Sequence, residues 1–259
     1  MRFSKSRLAF TLAAVAVLCG HVETRDRAHA ADDKCTGLEH QVDAQVYMLG
    51  SVADQIGGFE ELGHTALEGV KSCPDSARLW YLAVRSAEVL GGWPVFDDYG
   101  GTKAIAADAS KHAPQSVQVA TVVARLDGSV ASAQNAYDLD HNYGPARNAL
   151  ALALSREGSA ANALKLLEGH TGVEDHLARA RILLRDSKPA QAATEARTAL
   201  KTRASPVEPT LGTDILREGN EILAFALLTM GRTKEAIGPL KTAAATGSAA
   251  ARSELAKRR

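Results

Sequence analysis

Residues 91–101 read GGWPVFDDYGG, the most unusual stretch of the chain. Paired glycines bracket Trp93, Phe96 and Tyr99 together with the adjacent carboxylates Asp97 and Asp98. Loop aromatics bury much area at small entropic cost, so the stretch suits recognition, and the aspartates suit a cation or a basic ligand. Acid–base catalysis fits less well, because its carboxylate pairs are set in space rather than by adjacency in sequence. Glu61, His64 and Glu68 follow at three- and four-residue spacing, which places them on one helical face in a pattern a metal could use. A solvated helix face accounts for that pattern equally well. His170 and His176 flank Glu174 and Asp175 in what reads as a turn, a second weak metal candidate. There is no Gly-x-x-x-x-Gly-Lys-Ser/Thr phosphate loop, no Gly-x-Ser-x-Gly elbow, no His-Glu-x-x-His and no Cys-x-x-Cys. The expectation is therefore no catalytic residue, no metal and no cofactor.

Arg2, Lys5 and Arg7 precede a 12-residue apolar run, Leu8 to Cys19. A bilayer-spanning helix needs roughly 20 apolar residues, so the run is too short to be one. Ala28-His29-Ala30 then supplies a small-x-small cleavage pattern, and the order positive, apolar, small reads as a signal peptide over residues 1–30. Cleavage nearer Gly20 is the alternative. Lipidation at Cys19 is a minor one, because Leu18 is large for the position before a lipoprotein cysteine. The expected destination is the periplasm or the cell exterior, with no stable transmembrane segment once the leader is gone. The leader takes five Lys/Arg and two Asp/Glu out of 30 and 30, leaving 25 against 28 and a net charge of −3. Without a concentrated basic surface, nucleic acid is not an expected partner. The 46% hydrophobic content suffices for a core and excludes global disorder.

The elements that must position these residues repeat. Asn142–Glu168 and Arg217–Ala244 each place apolar residues at helical spacing, then a glycine (Gly158, Gly231), then a second helix with alanine five residues later (Ala163, Ala236). Glycine ends the first helix because it reaches the left-handed cap conformation without a Cβ clash, and the alanine lets two helices cross closely. Leu150-Ala151 and Leu49-Gly50 stand at one recurring position, Cys73-Pro74 and Ala113-Pro114 at helix ends, and Trp80 at a large-aromatic position of a first helix. The pattern resembles the tetratricopeptide repeat (TPR), a helix–turn–helix unit of about 34 residues. In the fifth unit Ala180 and Ala192 fit the pattern and Arg179 replaces its leucine. The resemblance implies an all-α, right-handed superhelical solenoid of about six antiparallel hairpins. They run over roughly 38–75, 76–115, 116–143, 144–172, 173–203 and 215–246, and a capping helix follows near 249–257. On this reading 31–37 is an N-terminal segment, 38–259 the repeat domain, and the proline-bearing 202–214 a loop. Trp93 and Phe96 then have a simpler role, plugging the gap between units two and three while the aspartates face water.

In the family, ligands lie along the first helices of the repeats. The resemblance places Arg78, Tyr81, Arg85, Asn148, Arg156, Arg181, Arg185, Glu221 and Phe225 on that inner face. Five arginines imply an acidic or carboxylate-bearing protein or peptide partner, since guanidinium binds carboxylate bidentately. The family's lysine- and asparagine-based carboxylate clamp is not reproduced. Loss of the leader leaves Cys35 and Cys73, which export favours pairing, with two free thiols the alternative. The hairpin reading sets them at the adjoining ends of unit one, where a disulfide would contribute about 3–4 kcal/mol. The functional expectation is an exported, non-catalytic scaffold or adaptor of the cell envelope. The alternatives are a self-associating structural module, of unspecified oligomeric state, or an enzyme or accessory of envelope polymer processing.

Overall fold

The structure, a computed structural model, describes residues 33–49, 55–91, 94–202, 208–209 and 213–258. Residues 1–30, with the expected leader and its cleavage site, lie outside the described residues, as does Trp93. All regular structure among the described residues is helical. The first half comprises α1 (33–49), α2 (Gln55–Ser72), α3 (Ala77–Leu90), the single turn α4 (Pro94–Asp97), α5 (Gly101–His112), α6 (Val117–Asp127) and α7 (Val130–Leu139). The second comprises α8 (Gly144–Arg156), α9 (Ala160–Leu166), α10 (Val173–Arg185), α11 (Pro189–Lys201), α12 (Asp214–Thr229), α13 (Thr233–Ala245) and α14 (Ala249–Ala256). Helices α1/α2, α3/α5, α6/α7, α8/α9, α10/α11 and α12/α13 are consecutive hairpins, and α14 packs on α13 as a cap. Residues 33–37 already belong to α1.

The joints between hairpins follow from local chemistry. Cys73-Pro74-Asp75-Ser76 and Ala113-Pro114-Gln115-Ser116 use proline to stop one helix and serine to start the next. In each, the serine amide donates to the carbonyl three residues back at 3.1 Å. Ser76 Oγ then accepts from the Leu79 amide at 3.2 Å, and Ser116 Oγ from the Val119 amide at 3.3 Å. Trp80 ties the second joint to the first. Its indole donates to the Pro74 carbonyl at 2.7 Å, and its ring stacks on His112 at the end of α5.

Within hairpins, Gly158 and Gly231 hold φ of +86° and +74°, and Ala163 and Ala236 five residues later are fully buried where the helices cross. The fifth hairpin keeps the spacing with Ser187, at φ +56°, ahead of the fully buried Ala192. A Cβ in the left-handed region costs roughly 1 kcal/mol that glycine avoids. Ser187→Gly should therefore raise stability by about 0.5–1 kcal/mol, read as an upward midpoint shift in urea at unchanged slope.

Phe96 is buried completely, but not between the second and third hairpins. A Cβ added to Gly63 of α2 would lie 2.7 Å from its ring and 3.0 Å from Ser86 Cβ of α3. The ring thus fills a hole between the first and second hairpins that glycine and serine leave open. As a core plug it cannot present recognition surface.

The first helices α3, α6, α8, α10 and α12 pack successively on one another, whereas the second helices of successive hairpins make little direct contact. The array therefore curves toward its first helices, and these form its inner layer. This is an α-solenoid, each hairpin covering its neighbour's apolar face.

Candidate groove on the first helices

Two positions recur along the first helices, four residues apart and so one turn apart on one face, and most of their residues line the inner side. The fifth residues are Tyr81, Thr121, Asn148, Leu177 and Glu218 in α3, α6, α8, α10 and α12. The ninth are Arg85, Arg125, Leu152 and Arg181 in α3, α6, α8 and α10. Asn148, Leu152, Glu174, Leu177, Ala178, Arg181 and Glu218 line a cavity of about 130 Å³. It shares Glu174, Leu177 and Glu218 with a second cavity of about 170 Å³, which runs on to Arg85, Arg125, Glu208, Asp214 and Ile215. Together they form a groove with a small apolar floor and charged walls.

Most of the expected arginines reach this face already paired. Arg78 donates to Asp43 of α1 at 2.6–2.8 Å and lies 5.6 Å over the Tyr81 ring. Arg181 pairs with Glu218 at 2.7 Å and remains 45% exposed. Arg156 donates to the Gly128 carbonyl at 2.9 Å. Arg185 is exposed, Phe225 half-buried, and Tyr81 buried at 1% exposure. Glu221 accepts from Ser248, the N-cap of α14, at 2.5 Å, which gives it a role in seating the cap. Asn148 is 9% exposed, and its carbonyl oxygen has no hydrogen-bond partner.

The densest electrostatics lie at Arg125. Its guanidinium grips Glu88 of α3 bidentately at 2.6 and 2.8 Å and donates a third bond to Glu208 at 2.6 Å. Arg85 reaches the far oxygen of Glu88 at 2.5 Å and the Pro209 carbonyl at 2.8 Å. Tyr143, at the start of α8, donates to Glu208 at 3.0 Å. Side-chain exposure is 12% for Arg85, 15% for Glu88, 22% for Arg125 and 7% for Glu208. Burial alone would lift the Glu88 carboxyl, but the hydrogen bonds and charge of Arg125, then those of Arg85, hold it below the ordinary carboxylate range. Burial, then the charge of Glu208, pushes the Tyr143 phenol up, so it keeps the proton it donates. Burial would also weaken the charge on Arg125, yet its two carboxylates outweigh this and fix it.

The other candidates are scattered. Glu61, His64 and Glu68 are all exposed, and Glu68 pairs with Lys71 at 2.6 Å, as a solvated face requires. Asp175 is buried against Arg147 at 3.2 Å and caps α10 through the Gly172 amide. His176 bonds Glu195 at 2.7 Å, while Arg179 donates to Glu195 and to the carbonyls of Leu167 and His170. The arginine in the leucine position thus fastens the turn between hairpins four and five. Asp97 and Asp98 are exposed, and Tyr99 donates to Asp108 at 3.0 Å. No group of three or more potential metal ligands occurs among the described residues. None of the described helices is long and apolar enough to cross a membrane. A wider outer cleft of about 580 Å³ lies over α6 between α5 and α7, lined by Pro114, Val119, Ala120, Val123, Ala131 and neighbours.

No protein-family model matches the chain, and no curated protein matches it. Among solved structures it is similar to TTC0263, a thermophilic TPR protein in Thermus thermophilus. Identity is 15%, the match covers 85% of this chain and 97% of that one, and the TM-score is 0.40.

Proposed function

We propose that this chain is an exported, non-catalytic scaffold or adaptor that holds an extended segment of a protein partner against its first helices in the cell envelope. The observation that carries the reading is the continuous groove over α8, α10 and α12. Asn148, Glu174, Arg181 and Glu218 ring the apolar Leu152, Leu177 and Ala178 there. A trough divided into two narrow cavities of about 170 and 130 Å³, with a small apolar floor and alternating charge, suits a chain laid along it better than one compact small molecule. Arg78, Arg85 and Arg181 each already have a carboxylate, so an acidic partner must exchange with an internal acid rather than meet an open cation. Cys35 and Cys73 lie at disulfide distance, which is compatible with an oxidising compartment and supports the exported reading.

Self-association is the second reading. It is favoured by Tyr47, Met48 and Ile56, which are 85%, 52% and 46% exposed on the first hairpin. One experiment separates the two. A photocrosslinking residue is placed at Arg181 in the groove or at Lys241 on the exposed face of α13, and each chain is irradiated in intact cell envelopes. A heterologous adduct from position 181 and none from 241 supports the groove. A homodimer from either position selects self-association, and no adduct beyond background from 181 sinks the groove.

A further inference from the structure

We infer that Arg85, Arg125 and Tyr143 form a carboxylate-binding subsite of the groove, which the chain's own Glu208 fills in the free state. An acidic residue of a bound peptide would take Glu208's place. The inference rests on the groove reading above and names its ligand chemistry and its regulation.

Glu208 lies between the fifth and sixth hairpins in sequence, yet its partners belong to the second, third and fourth. It is 83 residues from Arg125 and 65 from Tyr143, and Pro209 is 124 from Arg85. The way it is held is the way a peptide is held. One guanidinium and one phenol take the side-chain carboxylate, and a second guanidinium takes the main-chain carbonyl of the next residue.

The rest of the cluster forms the receptor half. Glu88 grips both arginines, so Arg125 Nη1 and Arg85 Nε are aimed before any ligand arrives, and the Tyr143 hydroxyl stands beside them as a third donor. With Glu208 withdrawn, two guanidiniums and one carboxylate remain, a net +1 carrying three buried donors without an acceptor. Buried donors of that kind call for an anionic acceptor; a carboxylate restores neutrality and two of the bonds, and the carbonyl of the residue after it restores the third. The cavity of about 170 Å³ beside Glu208 opens toward α10 and α12, along the path an extended peptide would follow. The inner face is thus self-blocked, and an acidic segment competes with the strap rather than filling an empty site.

The test uses the mature, oxidised chain and a fluorescein-labelled synthetic copy of residues 203–213, with a second copy carrying glutamine for glutamate. The parent should bind the first peptide weakly by fluorescence anisotropy. Glu208→Ala and the shape-preserving Glu208→Gln should each bind it at least tenfold more tightly, and the gain should vanish with the glutamine peptide. Equal affinity of parent and both variants overturns the proposal, as does equal binding of the two peptides. If both variants unfold, the parent decides alone. A large molar excess of the first peptide must shift the NMR signals of the Glu208 side-chain carboxylate, which loses Arg125 and Tyr143 on displacement, and unchanged signals overturn the proposal. A partner adduct from position 181 that persists beside a failed titration overturns the subsite and leaves the groove standing.

Discussion

Arg125→Ala should lower the stability of the array by about 3–5 kcal/mol at neutral pH, because it leaves two buried carboxylates facing each other without their shared cation. The melting temperature should fall on the order of 10 °C, from roughly 2–4 °C per kcal/mol in a chain of this size. The signature is the pH dependence. In the parent, Glu88 titrates below its ordinary value of 4.5, so its contribution is complete above that pH and is lost as pH falls through the lower, folded value. In the variant only Arg85 still opposes burial, so the Glu88 carboxyl rises from its parent value and acid relieves part of the strain of the folded state. The gap between the two proteins should be widest near pH 7 and should shrink steadily toward pH 4 in urea titrations. A gap that stays constant would mean that Arg125 acts by packing rather than by charge. Arg125→Met combined with Glu208→Gln should recover much of the loss, since the Arg85–Glu88 pair that remains is neutral overall and leaves no uncompensated charge to desolvate.

What was legible in sequence divides along the same physical line. Helix stops and starts were, because proline, capping serine and left-handed glycine act on their own few residues. The six hairpins accordingly fall close to the expected boundaries. The crossing alanines were legible too, since each sits at a fixed distance from its turn. Ser187 shows the limit of that rule, for the turn geometry persists where the glycine does not.

The inner face was legible in register but not in charge. The ninth position of a first helix carries Arg85, Arg125 and Arg181, and the reading that found the first and third missed the second. The third hairpin falls short of the repeat length, although it carries the same anchor, Gly128 at φ +74° and the fully buried Ala133 five residues later, from which Arg125 can be counted. The acids that neutralise these arginines were beyond reach for another reason. Asp43, Glu88, Glu218 and Glu208 are ordinary residues in sequence and become counter-ions only when neighbouring hairpins, or a strap from the far end of the array, bring them close. Nothing local marks Glu208 beyond its place among prolines. Phe96 was legible as a plug, but its socket depends on Gly63 and Ser86, two small residues on different helices whose pairing is tertiary.

Removing the Cys35–Cys73 bond should cost about 4 kcal/mol, yet the loss should be confined to one end of the molecule. The magnitude follows from a sequence separation of 38 in the chain-entropy relation. The confinement follows from the architecture. Among the described residues helix α1 is the first of the array and has a neighbour on one side only, with Val42 and Leu49 as its buried apolar anchors. Polar ties add to these: Glu39 to Ser76 at 2.5 Å, Asp43 to Arg78 and Lys34 to Ser72 at 3.1 Å around the same joint, and Gln45 to Thr65 of α2 at 3.1 Å. In a solenoid each hairpin draws its stability from its neighbours, so an end that loses its staple frays before the interior responds. With Cys35→Ser and Cys73→Ser, amide exchange across 33–49 should accelerate by up to roughly a thousandfold, the equivalent of about 4 kcal/mol. Exchange in α10 and α11 should barely change. Equal acceleration in both regions would mean that the array unfolds as a single cooperative block. In that case the bond stabilises the whole groove, and redox state would control partner binding as well as the integrity of the first hairpin.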